Sequence, residues 1–309
     1  MRLDEGAAAA VGRTPLVRLA HFSRRTDVHV WAKLEYLNPN GSAKDRPALH
    51  MLRCALRDGW LSANSVLIES SSGNMAISLA SFCAQLGIRF ICVLDVKTSA
   101  QNVRILQALG AQLEWVMEPD AVSGEFLPAR LARVRQLLAE VSGAVWLNQY
   151  ENEANPRAHG ETTFAELQAE LPGIDYVIAG MSTCGTVHGI ATAIRDAGLA
   201  TRLIGVDALG SKIAADTSGC RRFPGLGAGF SPPFYEAEDL QRVVHVSDDD
   251  CVEGCRRLAA TEGMLVGASS GGVCAAYLKM EDELAEGATV VLIMHDRGER
   301  YLETVFDEQ

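Results

Sequence analysis

Val66-Leu67-Ile68-Glu69-Ser70-Ser71-Ser72-Gly73-Asn74-Met75-Ala76-Ile77-Ser78-Leu79-Ala80 reads as a short apolar strand, a polar glycine turn and a helix. Two further segments repeat that pattern. Tyr176-Val177-Ile178-Ala179-Gly180 runs into Met181-Ser182-Thr183-Cys184-Gly185-Thr186-Val187-His188-Gly189, and Met264-Leu265-Val266 runs into Gly267-Ala268-Ser269-Ser270-Gly271-Gly272. Around them the periodicity predicts strands at 28–34, 66–68, 90–94, 113–116, 145–147, 176–179, 203–206 and 290–294. Helix-type runs fall between, at 47–57, 74–86, 101–109, 129–141 and 187–197. Such alternation predicts an α/β doubly wound fold with right-handed crossovers and mostly parallel sheets, whose ligands gather at the carboxyl ends of the strands. All three glycine turns sit at such ends.

At 309 residues the chain is long enough for two lobes, because one core seldom grows past ~250–300 residues. The net charge of −11 and pI near 5.2 exclude nucleic acid and anionic membrane as natural partners. No apolar run reaches the ~20 residues of a membrane span, and Met1-Arg2-Leu3-Asp4-Glu5 has no signal-peptide core, so a cytoplasmic protein is expected. The eight cysteines are scattered and complete no zinc pattern; they read as reduced core thiols. His159, His188 and His295 form no ligand constellation and read as structural, so no metal is expected.

Each turn has its own chemistry. A helix start exposes backbone N–H groups, and short hydroxyls beside it complete an anion cradle. The turn at 71–74 suits a carboxylate. Ser182, Thr183 and Thr186 suit a phosphate monoester, and the missing Gly-Lys-Ser/Thr ending excludes a nucleotide P-loop. Upstream, Asn38-Pro39-Asn40-Gly41-Ser42-Ala43-Lys44-Asp45-Arg46-Pro47 brings one lysine to a loop-to-helix junction, where an amine is fixed firmly enough to hold the aldehyde of pyridoxal phosphate. A hydroxyl such as Ser269 can hydrogen-bond a pyridine nitrogen without protonating it. The ring is then a weaker electron sink, which favours elimination and replacement at Cβ over transamination.

In order and spacing, Lys44, the Asn74 turn, 182–186 and Ser269 resemble the fold type II pyridoxal phosphate enzymes of the cysteine synthase and cystathionine beta-synthase family. The resemblance runs from Thr14-Pro15-Leu16-Val17-Arg18-Leu19 to Asp296-Arg297-Gly298-Glu299-Arg300-Tyr301-Leu302. It implies two doubly wound lobes with the cofactor in the cleft between them. Residues 1–39 with 145–309 would form the larger lobe and 40–144 a smaller, mobile one that closes over substrate; the glycine-rich 223–230 would line the cleft. It also implies that Lys44 carries the cofactor, Asn74 contacts its ring oxygen, Ser182, Thr183, Cys184, Gly185 and Thr186 hold its phosphate, and Ser269 faces its nitrogen. Ser71, Ser72, Gly73, Met75, Gln149, Tyr150, Ser182 and Gly227 would contact substrate. A homodimer acting on small amino acids is expected.

Departures from the family pattern narrow the choice. Met75 stands where a hydroxyl is usual, Ser182-Thr183-Cys184-Gly185-Thr186 replaces a more glycine-rich loop, Tyr150 replaces a phenylalanine and Arg297 a serine. These changes are similar to the branch that joins O-phospho-L-serine to L-glutamate through an aminoacrylate, releasing phosphate and giving N-(2-amino-2-carboxyethyl)-L-glutamate. That product is a precursor of L-2,3-diaminopropionate for siderophores or related metabolites. Arg157, Arg221, Arg222 and Arg297 are candidates for the leaving phosphate. A cysteine synthase or O-phosphoserine sulfhydrylase, and a catalytically silent cofactor-binding regulator, stay open as alternatives.

Overall fold

The computed structural model describes residues 2–215 and 219–307. In chain order its strands are β1 (Leu16–Arg18), β2 (His29–Lys33), β3 (Val66–Ser70), β4 (Arg89–Asp95), β5 (Gln112–Val116), β6 (Ala144–Trp146), β7 (Tyr176–Gly180), β8 (Arg202–Ala208), β9 (Arg242–Val246) and β10 (Thr289–Ile293). The helices are α1 (Gly6–Ala9), α2 (Asp45–Arg57), α3 (Asn74–Leu86), α4 (Ala100–Ala108), α5 (Phe126–Glu140), α6 (Ala154–Ala158), α7 (Ala165–Glu170), α8 (Gly185–Asp196), α9 (Asp248–Glu262) and α10 (Ala268–Met280).

Two compact units divide the chain: the described parts of Met1–Val11 with Lys44–Asn155, and of Gly12–Ala43 with Pro156–Gln309. The lobes expected from sequence gave 1–39 and 145–309 to the larger one and 40–144 to the smaller, but packing draws 1–11 and 145–155 into the smaller unit and 40–43 into the larger. Gln85 Nε2 donates to the Glu5 carbonyl at 2.7 Å and Arg53 Nη2 to the Leu3 carbonyl at 2.8 Å. β6 pairs with β3 in parallel, and Gln149 beyond it donates to the Ser70 carbonyl at 3.2 Å.

The smaller unit holds a parallel sheet in the order β5-β4-β3-β6. Its buried strands show why the runs are nearly continuous in hydrophobicity: successive side chains serve opposite faces. Leu67, Phe90, Cys92 and Leu94 pack with α2 and α3, whereas Val66, Ile68, Ile91 and Val93 pack with Val134 and Leu137 of α5. The larger unit orders its strands β1-β2-β10-β7-β8-β9, all neighbours parallel except β1 with β2. Ile178, Val206 and Leu292 face the α9 and α10 side; Val177, Leu203 and Val291 face α8. Helices therefore cover both faces of both sheets, and the α/β fold with mostly parallel sheets is confirmed.

Glycines set the closest approaches. A Cβ at Gly254 would lie 2.1 Å from the Gly271 carbonyl oxygen, and one at Gly271 2.0 Å from that of Cys251, so α9 and α10 cross backbone to backbone. A Cβ at Gly189 would meet the Pro156 carbonyl oxygen at 2.0 Å, which fixes α8 against the segment 154–164. The cysteines are free, but not all lie in the core as expected: Cys220 is exposed and Cys54 half-buried.

Candidate active site

In a parallel sheet the loops after the strands share one edge, and in each unit that edge carries the predicted residues. Lys44 precedes α2 with helical backbone angles and is half-buried, while Asp45, Arg46 and Pro47 after it are buried. The Asp45 carboxylate accepts from Ser78 of α3 at 2.6 Å, so the helix behind Lys44 is tied to the helix that starts at Asn74.

The turn after β3 is organised by Ser71. Its Oγ accepts from the N–H groups of Gly73 at 3.3 Å and Ala76 at 3.2 Å, capping α3 from inside the loop. Ser72 is anchored through its carbonyl, which accepts from Asn102 Nδ2 at 3.0 Å. Met75 does not join this polar edge: it is 2 % exposed and packs in the cluster under α3. Gln149 is held on both sides, by the Ser70 carbonyl and by Asn155, whose Nδ2 donates to its carbonyl at 2.6 Å. Asn148 takes a left-handed conformation, φ 53°, which turns the chain just before Tyr150.

Two residues at this edge have no role in the sequence reading. Glu69 is fully buried at the penultimate position of β3; its Oε1 accepts from Trp146 Nε1 at 3.0 Å and Ser70 N–H at 3.1 Å, while Oε2 lacks a partner. Burial pushes its pKa up to about 7 against those hydrogen bonds. Arg130 of α5 is the second. Its side chain is 11 % exposed, and Nε lies 3.3 Å from Asp95 Oδ2 without hydrogen-bond alignment; Nε and Nη1 have no hydrogen-bond partner. The Tyr150 phenol, pushed up chiefly by burial, feels both the Arg130 charge, which lowers it, and that of Glu69, which raises it. Both residues leave a trace in sequence. Arg130 is four residues before Val134 and seven before Leu137, on the buried stripe of α5, and Glu69 interrupts an apolar strand.

In the larger unit the loop after β7 enters α8 through Cys184, which is left-handed at φ 62° and provides no side-chain cap. The Cys184 thiol is buried. Thr183 Oγ1 accepts from Gly185 N–H at 3.4 Å, and Thr186 Oγ1 pairs with His159 Nε2 at 3.3 Å, whose other ring nitrogen meets Thr163 at 3.1 Å. Ser182 Oγ donates to the Gly227 carbonyl at 3.4 Å, and Gly227 N–H donates to the Met181 carbonyl at 2.7 Å. With φ +75° and Ser211 Cβ only 2.9 Å from where its own Cβ would be, Gly227 has to be glycine. Ser269 opens α10, is 4 % exposed and donates to Asp296 Oδ1 at 3.4 Å; Tyr301 donates to Oδ2 at 2.7 Å.

Of the four predicted cations, Arg221 brings Nη1 within 3.1 Å of where a Gly227 Cβ would lie, and the other three are engaged elsewhere. Arg157 pairs with Glu161 at 2.9 Å on a half-exposed face, Arg222 lies 4.7 Å from the Phe223 ring centre, and Arg297 donates to the Tyr36 carbonyl at 3.0 Å. His295 accepts from Gly180 N–H at 2.9 Å, the structural role expected for it. His188 approaches Asp239 at 2.7 Å with Glu236 close by, but Arg195 takes the other Asp239 oxygen at 2.9 Å and balances that charge.

Unit by unit the donors fit pyridoxal phosphate: the larger unit has a helix start to which Cys184 adds no side-chain cap, three hydroxyls beside it for the phosphate and a buried serine hydroxyl for the ring nitrogen, and the smaller unit has a half-buried amine for the aldehyde. The chain matches the family described as "Pyridoxal-phosphate dependent enzyme" over residues 7–296. It is 43 % identical over 303 residues to an N-(2-amino-2-carboxyethyl)-L-glutamate synthase of Cupriavidus metallidurans, covering 97 % of this chain and 89 % of that protein. Among solved structures, an O-acetylserine dependent cystathionine beta-synthase from Helicobacter pylori is similar at TM-score 0.89 and 31 % identity, covering 98 % of this chain and 99 % of that one. An O-ureido-L-serine synthase is similar at TM-score 0.89 and 30 % identity, covering 100 % and 98 %. The matched family, the extent of the sequence identity and the shared fold agree: this chain belongs to the pyridoxal-phosphate dependent enzymes, in their fold type II form.

Proposed function

We propose that the enzyme joins O-phospho-L-serine to the amine of L-glutamate by β-replacement, giving N-(2-amino-2-carboxyethyl)-L-glutamate and phosphate. The observation that carries this reading is Arg130: a buried guanidinium with unpartnered donors, beside the Tyr150 phenol. Sulfide would need neither group. A second amino acid with carboxylates to orient would use both. The relative of Cupriavidus metallidurans, named for the same product, supports the assignment.

Lys44 would hold the cofactor, with residues 182–186 for its phosphate, Asn74 for its ring oxygen and Ser269 for its ring nitrogen. Bound pyridoxal phosphate supplies an electron sink that stabilises negative charge at the substrate Cα. The Lys44 amine would take the proton from the substrate Cα and later return it. Ser71, Ser72 and Gly73 offer hydroxyls and N–H groups to the first substrate's carboxylate. Arg130, Tyr150, Gln149 and Ser182 orient the nucleophile against Cβ. The enzyme acts as a cytoplasmic homodimer, which light scattering of the purified protein tests.

Purified holoenzyme incubated with O-phosphoserine and either glutamate or sulfide, with products identified by mass, tests the substrate pair. The adduct of serine's carbon skeleton with glutamate is expected. Cysteine alone would favour the sulfur-using reading, for which the similarity to a hydrogen sulfide-producing enzyme of Fusobacterium nucleatum, at TM-score 0.89, is the argument.

A further inference from the structure

We propose that Glu69 is a positioning residue for the incoming amino acid: held as a neutral acid it lets Arg130 and Tyr150 take a carboxylate, and its ionisation turns that carboxylate away. The inference rests on glutamate being the nucleophile. It follows from where the side chain sits. Strand β3 carries Glu69 to the carboxyl edge of the sheet with no solvent exposure, and Oε2 meets no donor. The hydroxyl of the next residue, Ser70, is likewise buried without a partner.

The groups that face this carboxyl come from each neighbouring element. Cys92 on β4 is opposite in register, and burial pushes its thiol up to about 12, so it stays neutral. From β6, Trp146 donates through its indole nitrogen at 3.0 Å. The segment after β6 turns the N–H groups of Asn148 and Gln149 towards Glu69 and carries Tyr150, whose phenol is held above its ordinary range. Helix α5 brings Arg130, paired by charge with Asp95. In this set Glu69 is the group whose titration falls near neutrality, at about 7.

The consequence is electrostatic. A neutral Glu69 adds no charge to the Arg130–Asp95 pair and leaves the guanidinium's unbonded donors next to Tyr150. An ionised one supplies a competing carboxylate in a buried setting, where charges act strongly on one another. Weaker glutamate binding at high pH follows, with the chemical step at Cα untouched.

The test compares wild-type holoenzyme with Glu69→Gln, which keeps the shape and the Oε1 acceptor but cannot ionise. Dividing the two glutamate KM values at each pH cancels the titration of glutamate's own amine. Between about pH 6 and pH 9 the ratio of wild type to variant should rise about tenfold, centred near neutrality, while the kcat ratio stays level. A flat KM ratio, or a step confined to kcat, overturns the proposal. Trp146→Phe removes a donor that favours the charged form, so its step should move to higher pH; an unmoved step also overturns it. A second readout needs no turnover: tryptophan fluorescence should change through neutrality in wild type and not in Glu69→Gln, and absence of that change is a failure whatever the nucleophile. If glutamate gives no product while the fluorescence step is present, the substrate assignment fails and the protonation of Glu69 stands.

Discussion

A buried carboxyl that holds its proton near neutrality makes stability depend on pH in a fixed direction. The Glu69 pKa rises from 4.5 to about 7 on folding, so between those values the native chain keeps a proton that the unfolded chain has lost. Its contribution is present below the lower value and disappears as pH climbs through the higher one, a loss on the order of 3 kcal/mol. Urea unfolding of wild type and Glu69→Gln at pH 5 and pH 8 should show the stability difference shift against wild type at the higher pH; parallel curves would refute the assignment. Tyr150→Phe, which deletes one donor and no bulk, should raise KM for glutamate by about tenfold and spare the reaction with the first substrate. Initial rates at varied glutamate check this. At this scale the sequence showed the polar turns and Lys44 because glycine, serine and a lone lysine are conspicuous against apolar runs. It hid Arg130, since three arginines share α5 and only the phase set by Val134 and Leu137 distinguishes the inward one.

Helices α9 and α10 position Ser269 by close contact between their backbones at Gly254 and Gly271. Gly271→Ala would push a methyl into the Cys251 carbonyl, at a cost of about 2–3 kcal/mol, and shift the helix start two residues away. A lower Tm together with weaker binding of added pyridoxal phosphate is the expected result. Ser247 caps α9 in a reciprocal box with Asp250, so Ser247→Ala should cost about 1 kcal/mol in denaturant unfolding and leave cofactor affinity unchanged. The long strands and helices were legible because buried parallel strands read as unbroken apolar runs. The predicted runs leave out α1 and β1, which are four and three residues long, β9, a partly covered edge, and α9, whose apolar positions are interrupted by three aspartates and two arginines; within 154–170, Pro156 and Gly160 interrupt a helix whose start alone is legible. That segment is helical because α8 packs on it at Gly189, a long-range contact with no local pattern.

Across the whole molecule, each sheet is sandwiched between its own two apolar clusters, so each unit has a core of its own. Leu67→Ala, in the smaller unit, should cost about 2–5 kcal/mol and speed amide exchange within 44–155 more than within 156–307. Equal acceleration in both would show that they open as one body. With a net charge of −11, the proposed anion binding depends on local groups: the start of α8, the Ser71 turn and Arg130. The proposed function gives them one common ligand, a cofactor bound covalently at Lys44. Reducing the purified, coloured holoenzyme with borohydride, digesting it and weighing the peptides tests this directly. The account predicts pyridoxyl phosphate on the peptide containing Lys44, and none after Lys44→Ala. The label on another lysine, or its undiminished presence in the variant, would contradict it.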